Sequence, residues 1–442
     1  MRTSEVAELL KKEDVKEIVL QFADISGGLH SLWVPSDLFS KVAEEGIHTD
    51  GSSVEMVDIS QSDLKLIPDV DTLVLLPSSL FPQRIARVAC DICEPESNRA
   101  FELDPRFVLK KAMNEAKKTL GASVRYNACS EIEFFLFKKD DNGTIRLLDD
   151  GEYLATPPRD LGADLRLETV ENLRKMGISI EKHHHEVPPG KYEFNLAYSD
   201  ALTMADVIYL IKFLLKLTAA RKGLIASFMP KPFQGQYGCG LHTHVSLTDD
   251  KKAKNLFYDA KGSHGLSKTG LHFTAGILAH AKALAAVTNP SVNSYKRLVP
   301  GWEAPVYISW ARYNRSVLVR VPPGRGMRTR LEYRPTDGSC NFYTAFACIL
   351  SAGLDGIKRK LDPPEPVEEN IYEMSEKERV RRGIELLPES LEDALEELSR
   401  DQVIRDALGH TFYEKFLEIK TKEWRDFNHA VHEWERNRYI DV

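Results

Sequence analysis

The segment 129–137 alternates acidic and apolar residues, and this alternation restricts what the surrounding chain can fold into. It reads Cys-Ser-Glu-Ile-Glu-Phe-Phe-Leu-Phe, with Glu131 and Glu133 separated by one isoleucine. Because successive side chains of a β-strand point to opposite faces, a strand places both glutamates on one face and Ile132 on the other. The pattern therefore predicts a strand that presents two carboxylates to the same space.

Two further segments repeat the spacing of two with other polar residues. Residues 240–246 carry His242 and His244, and residues 328–334 carry a longer row of Arg328, Arg330, Glu332 and Arg334. A single row of this kind is more often the solvated face of an antiparallel sheet. Three rows are better explained by one cavity that holds divalent cations and an anionic substrate, because unpaired like charges are costly to bury.

The segment 183–193 adds imidazoles and carboxylates beside a Pro-Pro-Gly turn. Three consecutive histidines precede Glu186, and Glu193 follows a few residues later. The histidines alone would fit a polar loop. Oxygen-rich sites with one imidazole suit Mg²⁺ or Mn²⁺ rather than zinc, and these ions commonly chelate nucleotide phosphates.

Arginines accumulate between residues 297 and 334, and the planar guanidinium binds carboxylates and phosphates in bidentate fashion. Nucleic acid is disfavoured as a partner because Glu303 and Glu332 interrupt the cluster. The whole chain also carries 59 basic against 66 acidic residues, a net charge of −7. No Walker A sequence is present, so metal ions and arginines would have to hold a nucleotide.

Neither a secretory signal nor a membrane span is expected from the sequence. The N-terminus is a charged amphipathic pattern without an apolar signal region. The longest apolar helical pattern, 275–287, contains His280 and Lys282 and falls short of the ~20 residues that span a bilayer. Cys90 and Cys93 lack partners for a zinc site, so buried thiols are expected. Cysteines without a spacing framework fit a reducing compartment, and we expect a cytoplasmic protein.

The lengths of the patterned runs divide the chain into two parts. Short β-like runs in 1–104 predict a small sheet with one or two helices, and longer patterns predict a larger α+β domain over 105–442. The expected helices are 105–120, 202–222, 269–287, 341–358 and charged helices from 390. The expected strands are 17–22, 29–34, 72–76, 125–137, 240–247, 316–321 and 328–334.

Several segments resemble the motifs of the type I glutamine synthetase family, in family order along nearly the whole chain. The matching segments are Asp50-Gly-Ser-Ser53, Ser-Glu131-Ile-Glu133-Phe-Phe, His184-His-Glu186-Val-Pro-Pro-Gly, Phe228-Met-Pro-Lys-Pro, Gly240-Leu-His242-Thr-His244, Asn289-Pro-Ser-Val-Asn-Ser-Tyr-Lys-Arg297, Pro300-Gly-Trp-Glu303-Ala-Pro, Asn314-Arg315-Ser and Arg330-Leu-Glu332-Tyr-Arg334. The resemblance implies an α+β fold. A small β-grasp-like domain over 1–104 would precede a catalytic ATP and glutamate domain over 105–442, built on a curved antiparallel sheet with flanking helices.

The resemblance also assigns site residues. It implies that Glu133, Glu186 and Glu193 hold one metal ion and that Glu131, His242 and Glu332 hold another, with two to three Mg²⁺ or Mn²⁺ ions per active site. The implied glutamate contacts are Gly238, His242, Arg297, Glu303 and Arg334. The implied ATP contacts are His244, Ser246, Arg315, Arg320 and Arg330, and the implied ammonium contacts are Asp50, Ser53, Tyr153 and Glu186.

The activity implied by the resemblance is the ligation of ammonia to the γ-carboxylate of L-glutamate, with ATP as co-substrate and γ-glutamyl phosphate as intermediate. Asp50 of a neighbouring subunit would deprotonate ammonium, and Arg315 would steady the phosphates. Glu303, in a flap that excludes water, would take a later proton. The implied assembly is a homo-oligomeric dodecamer of two hexameric rings, with active sites between subunits.

Three departures from the family pattern leave the identity of the amino-acid and amine substrates open. Tyr237 replaces a usual asparagine, residues 54–62 diverge, and Lys191 replaces a usual glutamine beside the implied metals. We expect the Lys191 side chain to point outward. One alternative is a ligase of the same mechanism that uses a larger amine, and another is a non-catalytic oligomer. The intact set of carboxylates argues against the second.

Overall fold

The N-terminal part of the chain forms a mixed six-stranded sheet in the computed structural model, which describes residues 2–442. Its strands are β1 (Glu17–Ala23), β2 (Leu29–Pro35), β3 (Ile47–Asp50), β4 (Asp63–Pro68), β5 (Val74–Leu75) and β6 (Ile85–Cys93), accompanied by helices α1 (Thr3–Lys12) and α2 (Phe39–Glu45). The order is β2-β1-β6-β4-β3, with β5 paired to β6, and β1 runs parallel to β6. The expected small sheet with one or two helices is confirmed.

A second sheet of eleven strands carries most of the polar rows. Its strands are β7 (Val124–Lys139), β8 (Ile145–Leu147), β9 (Ile180–His185), β10 (Lys191–Leu196), β11 (Ser199–Asp200), β12 (Leu224–Ser227), β13 (Leu241–Asp249), β14 (Lys254–Asn255), β15 (Trp310–Ala311), β16 (Val319–Arg320) and β17 (Leu331–Tyr333). The central order is β15-β16-β17-β13-β7-β10-β9. The pairs from β16 to β9 are antiparallel, which places the long strand β7 at the centre of the site described below.

Helices flank this sheet and form the rest of the chain. They are α3 (Pro105–Leu120), α4 (Ala163–Lys175), α5 (Ala201–Arg221), α6 (Lys268–Ala279), α7 (Ala281–Thr288), α8 (Ser294–Arg297), α9 (Phe342–Arg359), α10 (Glu376–Arg381), α11 (Leu391–Arg400), α12 (Gln402–Leu408), α13 (His410–His429) and α14 (Glu433–Tyr439). One hydrophobic cluster runs from the first sheet through the second sheet into these helices. The two sheets therefore share a continuous core.

Glycines allow the buried helices α6 and α9 to approach each other closely. A Cβ at Gly276 would lie 2.1 Å from the carbonyl oxygen of Ala352, and one at Gly356 would lie 2.1 Å from that of His272. Both distances are far below contact, so any side chain would force the helices apart. This close contact sets the position of the helical layer.

Local capping explains why some predicted helices have the expected bounds. The helix predicted over 105–120 is confirmed, because the Asp104 side chain accepts a hydrogen bond from the Arg106 N–H and Pro105 occupies the first turn. The Asn341 side chain caps α9 in the same way by accepting from the N–H groups of Tyr343 and Thr344.

Four sequence predictions of elements are wrong. The strand expected over 72–76 is reduced to β5, because Val70–Thr72 form a 3₁₀ turn. The single helix expected over 269–287 breaks at His280 into α6 and α7, whose axes differ by 74°. The strands expected over 316–321 and 328–334 shrink to β16 and β17, because two prolines follow Val321 and residues Gly326–Arg328 form a 3₁₀ turn. Arg328 consequently lies outside the predicted polar row.

Among residues 2–442, no single helix is long and apolar enough to cross a membrane. Helices α6 and α7 taken together are long and apolar enough to span a membrane, but they are bent against each other by 74°. Most of their residues are buried in the protein.

The buried imidazole of His280, at the break between α6 and α7, predicts that the free energy of unfolding depends on pH. His280 is buried, and its ring nitrogens lie 2.6 Å from Asp401 and 3.0 Å from Asp355, which also pairs with Arg359. Burial lowers the pKa of His280, but the hydrogen bonds to Asp401 and Asp355 outweigh it and raise the pKa above 6.5. The stabilisation is therefore complete below about pH 6.5 and is lost as pH rises through the raised pKa.

We expect His280→Gln to reduce the free energy of unfolding by about 2 kcal/mol at pH 6 and by clearly less at pH 9. Urea unfolding at both pH values measures the difference. His410→Gln, at an exposed histidine, is the control and should change little at either pH. An equal loss from His280→Gln at both pH values would contradict the argument.

Candidate active site

Five neighbouring strands of the second sheet bring the polar residues side by side. Residues directly opposite each other on antiparallel strands project to the same face, with Cβ atoms about 5 Å apart. From β17 to β9, the facing pairs are Glu332 with His244, His242 with Glu131, Glu133 with Glu193, and Glu193 with His184. The alternation within each strand thus collects carboxylates and imidazoles on one face of the sheet.

The first cluster contains Glu131, His244 and Glu332, whose ligand atoms lie within 4.8 Å of one another. His244 Nε2 is 3.2 Å from Glu131 Oε1, and Arg330 Nε donates to the other ring nitrogen at 3.2 Å. His242 also reaches the cluster, with Nδ1 3.1 Å from Glu131 Oε2 and 3.7 Å from Glu332 Oε1. Two carboxylates with an imidazole form a donor set that fits a divalent ion.

The second cluster contains His184, Glu186 and Glu193, whose ligand atoms also lie within 4.8 Å of one another. His184 Nε2 is 3.3 Å from Glu193 Oε1, and its Nδ1 is 3.6 Å from Glu186 Oε1. The ring of Tyr153 packs edge-on against this imidazole, with centroids 5.5 Å apart. This donor set has the same composition as the first and fits a divalent ion equally well.

Glu133 lies beside the second cluster and is paired with a lysine. Lys191 Nζ lies 2.8 Å from Glu133 Oε2, and the Gly240 N–H donates to the same oxygen at 2.6 Å. Burial raises the pKa of Glu133, but the Lys191 charge and the nearby His242 lower it to about 2. The expectation that Lys191 points outward is wrong, because its side chain is buried against this carboxylate.

The other buried carboxylates differ in how their charge is compensated. Burial raises the pKa of Glu332, but Arg334, His244 and Arg320 together lower it to about 2. Glu332 is fully buried, and Arg320 Nε and Arg334 Nη1 donate to its two oxygens at 2.5 and 2.6 Å. The pKa of Glu186 is instead raised, mainly by burial, because Lys191 compensates it only in part.

A cavity of about 640 Å³ opens over these clusters. Residues with implied roles that line it are Glu131, Glu133, Tyr153, Glu186, Glu193, Gly238, His242, Arg297, Glu303, Arg315 and Arg334. Arg297 and Arg334 are both only 5% exposed, so two guanidinium groups are held at the wall by surrounding protein. Such buried, preorganised guanidiniums are suited to carboxylates or phosphates.

The remaining residues with implied roles lie outside the cavity lining. They are Asp50, Ser53, His244, Ser246, Arg320, Arg330 and Glu332. Three of these, His244, Glu332 and Arg320, are buried next to the lining residues. Asp50 instead lies at the end of β3 in the N-terminal sheet, and Ser53 lies in the 3₁₀ turn that follows. Hydrogen bonds from Ser53 and Ser52 lower the pKa of Asp50 to about 2.

Residues around Glu303 form the rim of the cavity. Trp302 packs edge-on against Tyr237, with ring centroids 5.8 Å apart, and Lys231 Nζ lies 4.4 Å above the tryptophan ring. Glu303 has a φ of 54°, which costs a residue with a side chain about 1 kcal/mol or more. Glu303 is exposed and lines the cavity at this strained position.

Sequence reasoning missed two residues near the metal-binding donors. His184 belonged to a histidine run that a polar loop also explained, and only the register with Glu193 brings it to the cluster. Lys191 shares the alternation of β10 with Glu193, so the two-residue spacing already placed both on one face. That spacing was a signal that could have predicted its inward orientation.

The site combines two sets of residues that could bind divalent ions with two buried guanidinium groups. These features are typical of a metal-dependent enzyme that acts on anionic substrates. Comparison with known proteins gives the family. Residues 102–439 match the family model described as glutamine synthetase, catalytic domain, and residues 14–95 match glutamine synthetase, beta-Grasp domain. The chain belongs to the glutamine synthetase family.

Similar proteins cover the chain from end to end. Glutamine synthetase from Thermotoga maritima is 46% identical over all of both chains, and that from Methanocaldococcus jannaschii is 46% identical over 100% of this chain and 98% of its own. A solved structure titled "Apo GmaS without ligand" superposes with a TM-score of 0.89, at 32% identity and 99% coverage of both chains. The expected α+β fold with a β-grasp domain is confirmed.

Proposed function

We propose that the chain is an ATP-dependent glutamate–ammonia ligase and that the residues of the candidate site act as follows. The observation that carries the proposal is the joint lining of one cavity by two metal-binding donor sets and by Arg297 and Arg334. This arrangement suits a reaction between a dicarboxylate and a nucleoside triphosphate. The curated names of full-length relatives favour ammonia over a larger amine.

The side chains on the cavity wall would bind and orient glutamate for phosphorylation. Arg297 and Arg334 would pair with its carboxylates, and His242 and Gly238 would border the same position. A carboxylate is a poor electrophile, so transfer of the γ-phosphoryl group of ATP to the γ-carboxylate activates it as γ-glutamyl phosphate. Divalent ions, when bound, neutralise the charge that this transfer brings together.

ATP would be held by residues in and around the first cluster. Arg315 lines the cavity and would steady the phosphates. His244, Ser246, Arg320 and Arg330 complete the proposed ATP site. Arg330 and Arg320 also hold His244 and Glu332 through hydrogen bonds, so both arginines would keep the donors of the first cluster in place. Mg²⁺ or Mn²⁺, two to three per site, are the ions that this donor chemistry favours.

The second half of the reaction needs free ammonia and a dry cavity. Tyr153, Glu186 and Glu303 line the cavity and would attract ammonium. Asp50 and Ser53 of a neighbouring subunit would complete this pocket, and the ionised Asp50 would take the proton from ammonium. Glu303 would close the cavity against water and then accept the proton of the tetrahedral adduct.

An active site built from residues of two subunits requires an oligomer. We propose the dodecamer of two hexameric rings that the family resemblance implies. The small domain of one subunit, 1–104, would meet the catalytic domain of the next, 105–442. A fully active monomer in solution, measured by light scattering during turnover, would contradict this arrangement.

One assay tests the proposed acceptor. Phosphate release from ATP with glutamate and Mg²⁺ is followed while ammonium, methylamine or a polyamine is supplied. We expect ammonium to support the highest kcat/KM, by at least about tenfold, because a larger amine would need the anionic pocket of Glu186, Glu303 and Tyr153 to open further. Turnover with an alkylamine but not with ammonium would overturn the proposal, and no turnover with any acceptor would exclude an enzyme.

A further inference from the structure

The buried Lys191 is the residue of the site for which the implied mechanism has no role. Its Nζ lies 2.8 Å from Glu133 Oε2 and donates to the carbonyl oxygen of Gly238 at 3.0 Å. The same Nζ lies 3.9 Å from Glu186 Oε2. Lys191 is only 5% exposed, so this ammonium group is surrounded by protein atoms.

These contacts place a fixed positive charge where the family resemblance would put a divalent ion. Glu133 Oε2 receives both the Lys191 ammonium and the Gly240 N–H, and Glu133 is absent from the donor sets that the described residues assemble. A divalent ion on Glu133 would have to displace a buried ammonium or lie against it. Like charges inside a protein repel, and the repulsion is strongest at Glu133, because Lys191 Nζ lies 2.8 Å from its Oε2 but 3.9 Å from Glu186 Oε2.

His184 supplies the donor that replaces Glu133. It lies opposite Glu193 in the strand register, and its two ring nitrogens face Glu193 and Glu186. The second cluster therefore has the composition Glu–His–Glu, the same as the first, without any contribution from Glu133.

We propose that Lys191 acts as a built-in cation that keeps Glu133 from binding metal, so that the second divalent ion is held by His184, Glu186 and Glu193. The inference rests on the proposed function only in that divalent ions occupy these clusters. Lys191 also ties β10 to the loop that carries Tyr237 and Gly238, two residues that line the same cavity.

Lys191→Gln tests the proposal, because glutamine removes the charge and keeps a hydrogen-bond donor on a side chain that is one bond shorter. Mn²⁺ binding to the purified protein is measured by equilibrium dialysis and by calorimetry without substrates. We expect the variant to bind one Mn²⁺ per subunit at least about tenfold more tightly than the unmodified chain, while the other ion is unaffected. The double variant Lys191→Gln with Glu133→Gln should lose this gain, since the gain depends on the freed carboxylate.

Lys182→Gln is the matched control, because Lys182 lines the same cavity but is exposed and has no contact with Glu133 among the described residues. It should leave both Mn²⁺ affinities within about twofold. Unchanged binding by Lys191→Gln, or an equal gain in the control, would overturn the proposal. If Lys191→Gln does not fold, anomalous diffraction from the unmodified chain with Mn²⁺ decides: an ion within bonding distance of Glu133 contradicts it. These readouts need no turnover, so their failure is separate from failure of the ligase activity.

Discussion

Glu332→Ala is expected to abolish turnover and to destabilise the fold at the same time. Glu332 is fully buried, and its two oxygens accept hydrogen bonds from Arg320 Nε and Arg334 Nη1. Alanine leaves both guanidinium groups without their carboxylate partner in the interior, which costs about 3 to 5 kcal/mol. It also removes one donor of the first cluster and releases Arg334, so we expect kcat/KM to fall by at least about 10³-fold.

Thermal or urea unfolding and steady-state kinetics measure the two effects. Glu332→Gln separates them, because the amide keeps one acceptor for the arginines and should recover part of the stability while activity stays low. Glu181→Ala, on the exposed part of β9, is the control and should change neither quantity by more than about 0.5 kcal/mol or twofold. Near-normal activity of a folded Glu332→Ala protein would show that the first cluster does not serve catalysis.

Glu303→Ala is expected to uncouple the two halves of the reaction. The glutamate lines the cavity at its rim and does not belong to either donor cluster, so phosphoryl transfer to glutamate should persist. The open rim admits water to the acyl phosphate, and the proton acceptor for the tetrahedral adduct is lost. We expect glutamine formation to fall by about 10²-fold or more while ATP consumption falls much less.

The ratio of ADP to glutamine produced measures this uncoupling. It should be close to one for the unmodified chain and rise by at least about tenfold in Glu303→Ala. Glu389→Ala, an exposed glutamate far along the chain, should keep the ratio near one. If both products fell equally in Glu303→Ala, the residue would act in binding or folding and not in the second half-reaction.

Local patterns predicted the two central strands of the site, β7 and β13, but not β9 or β10, and β17 is shorter than predicted. The two-residue spacing of Glu131 and Glu133 depends only on the geometry of a strand, and β7 places both next to the same cavity. Capping residues are equally local, and the bounds of α3 followed from Asp104 and Pro105.

Features that depend on long-range pairing were not predictable. The choice of His184 as a donor requires the register of β9 against β10, and the contacts of His280 at the helix break are made by Asp355 and Asp401, which are distant in sequence. Lys191 was expected to point outward, but its contacts with Glu133 and with the carbonyl oxygen of Gly238 compensate the cost of burying its charge. Sequence reasoning therefore found the polar rows and missed how they pair.

Isotope transfer tests the central claim, ligation of ammonia through γ-glutamyl phosphate, most directly. Glutamate labelled with ¹⁸O in the γ-carboxylate is turned over with ATP, Mg²⁺ and ammonium, and the released phosphate is analysed by mass spectrometry. Our account predicts one ¹⁸O atom transferred from glutamate to phosphate for each glutamine formed, because the γ-oxygen leaves as part of the phosphate. Unlabelled phosphate released together with glutamine would contradict it.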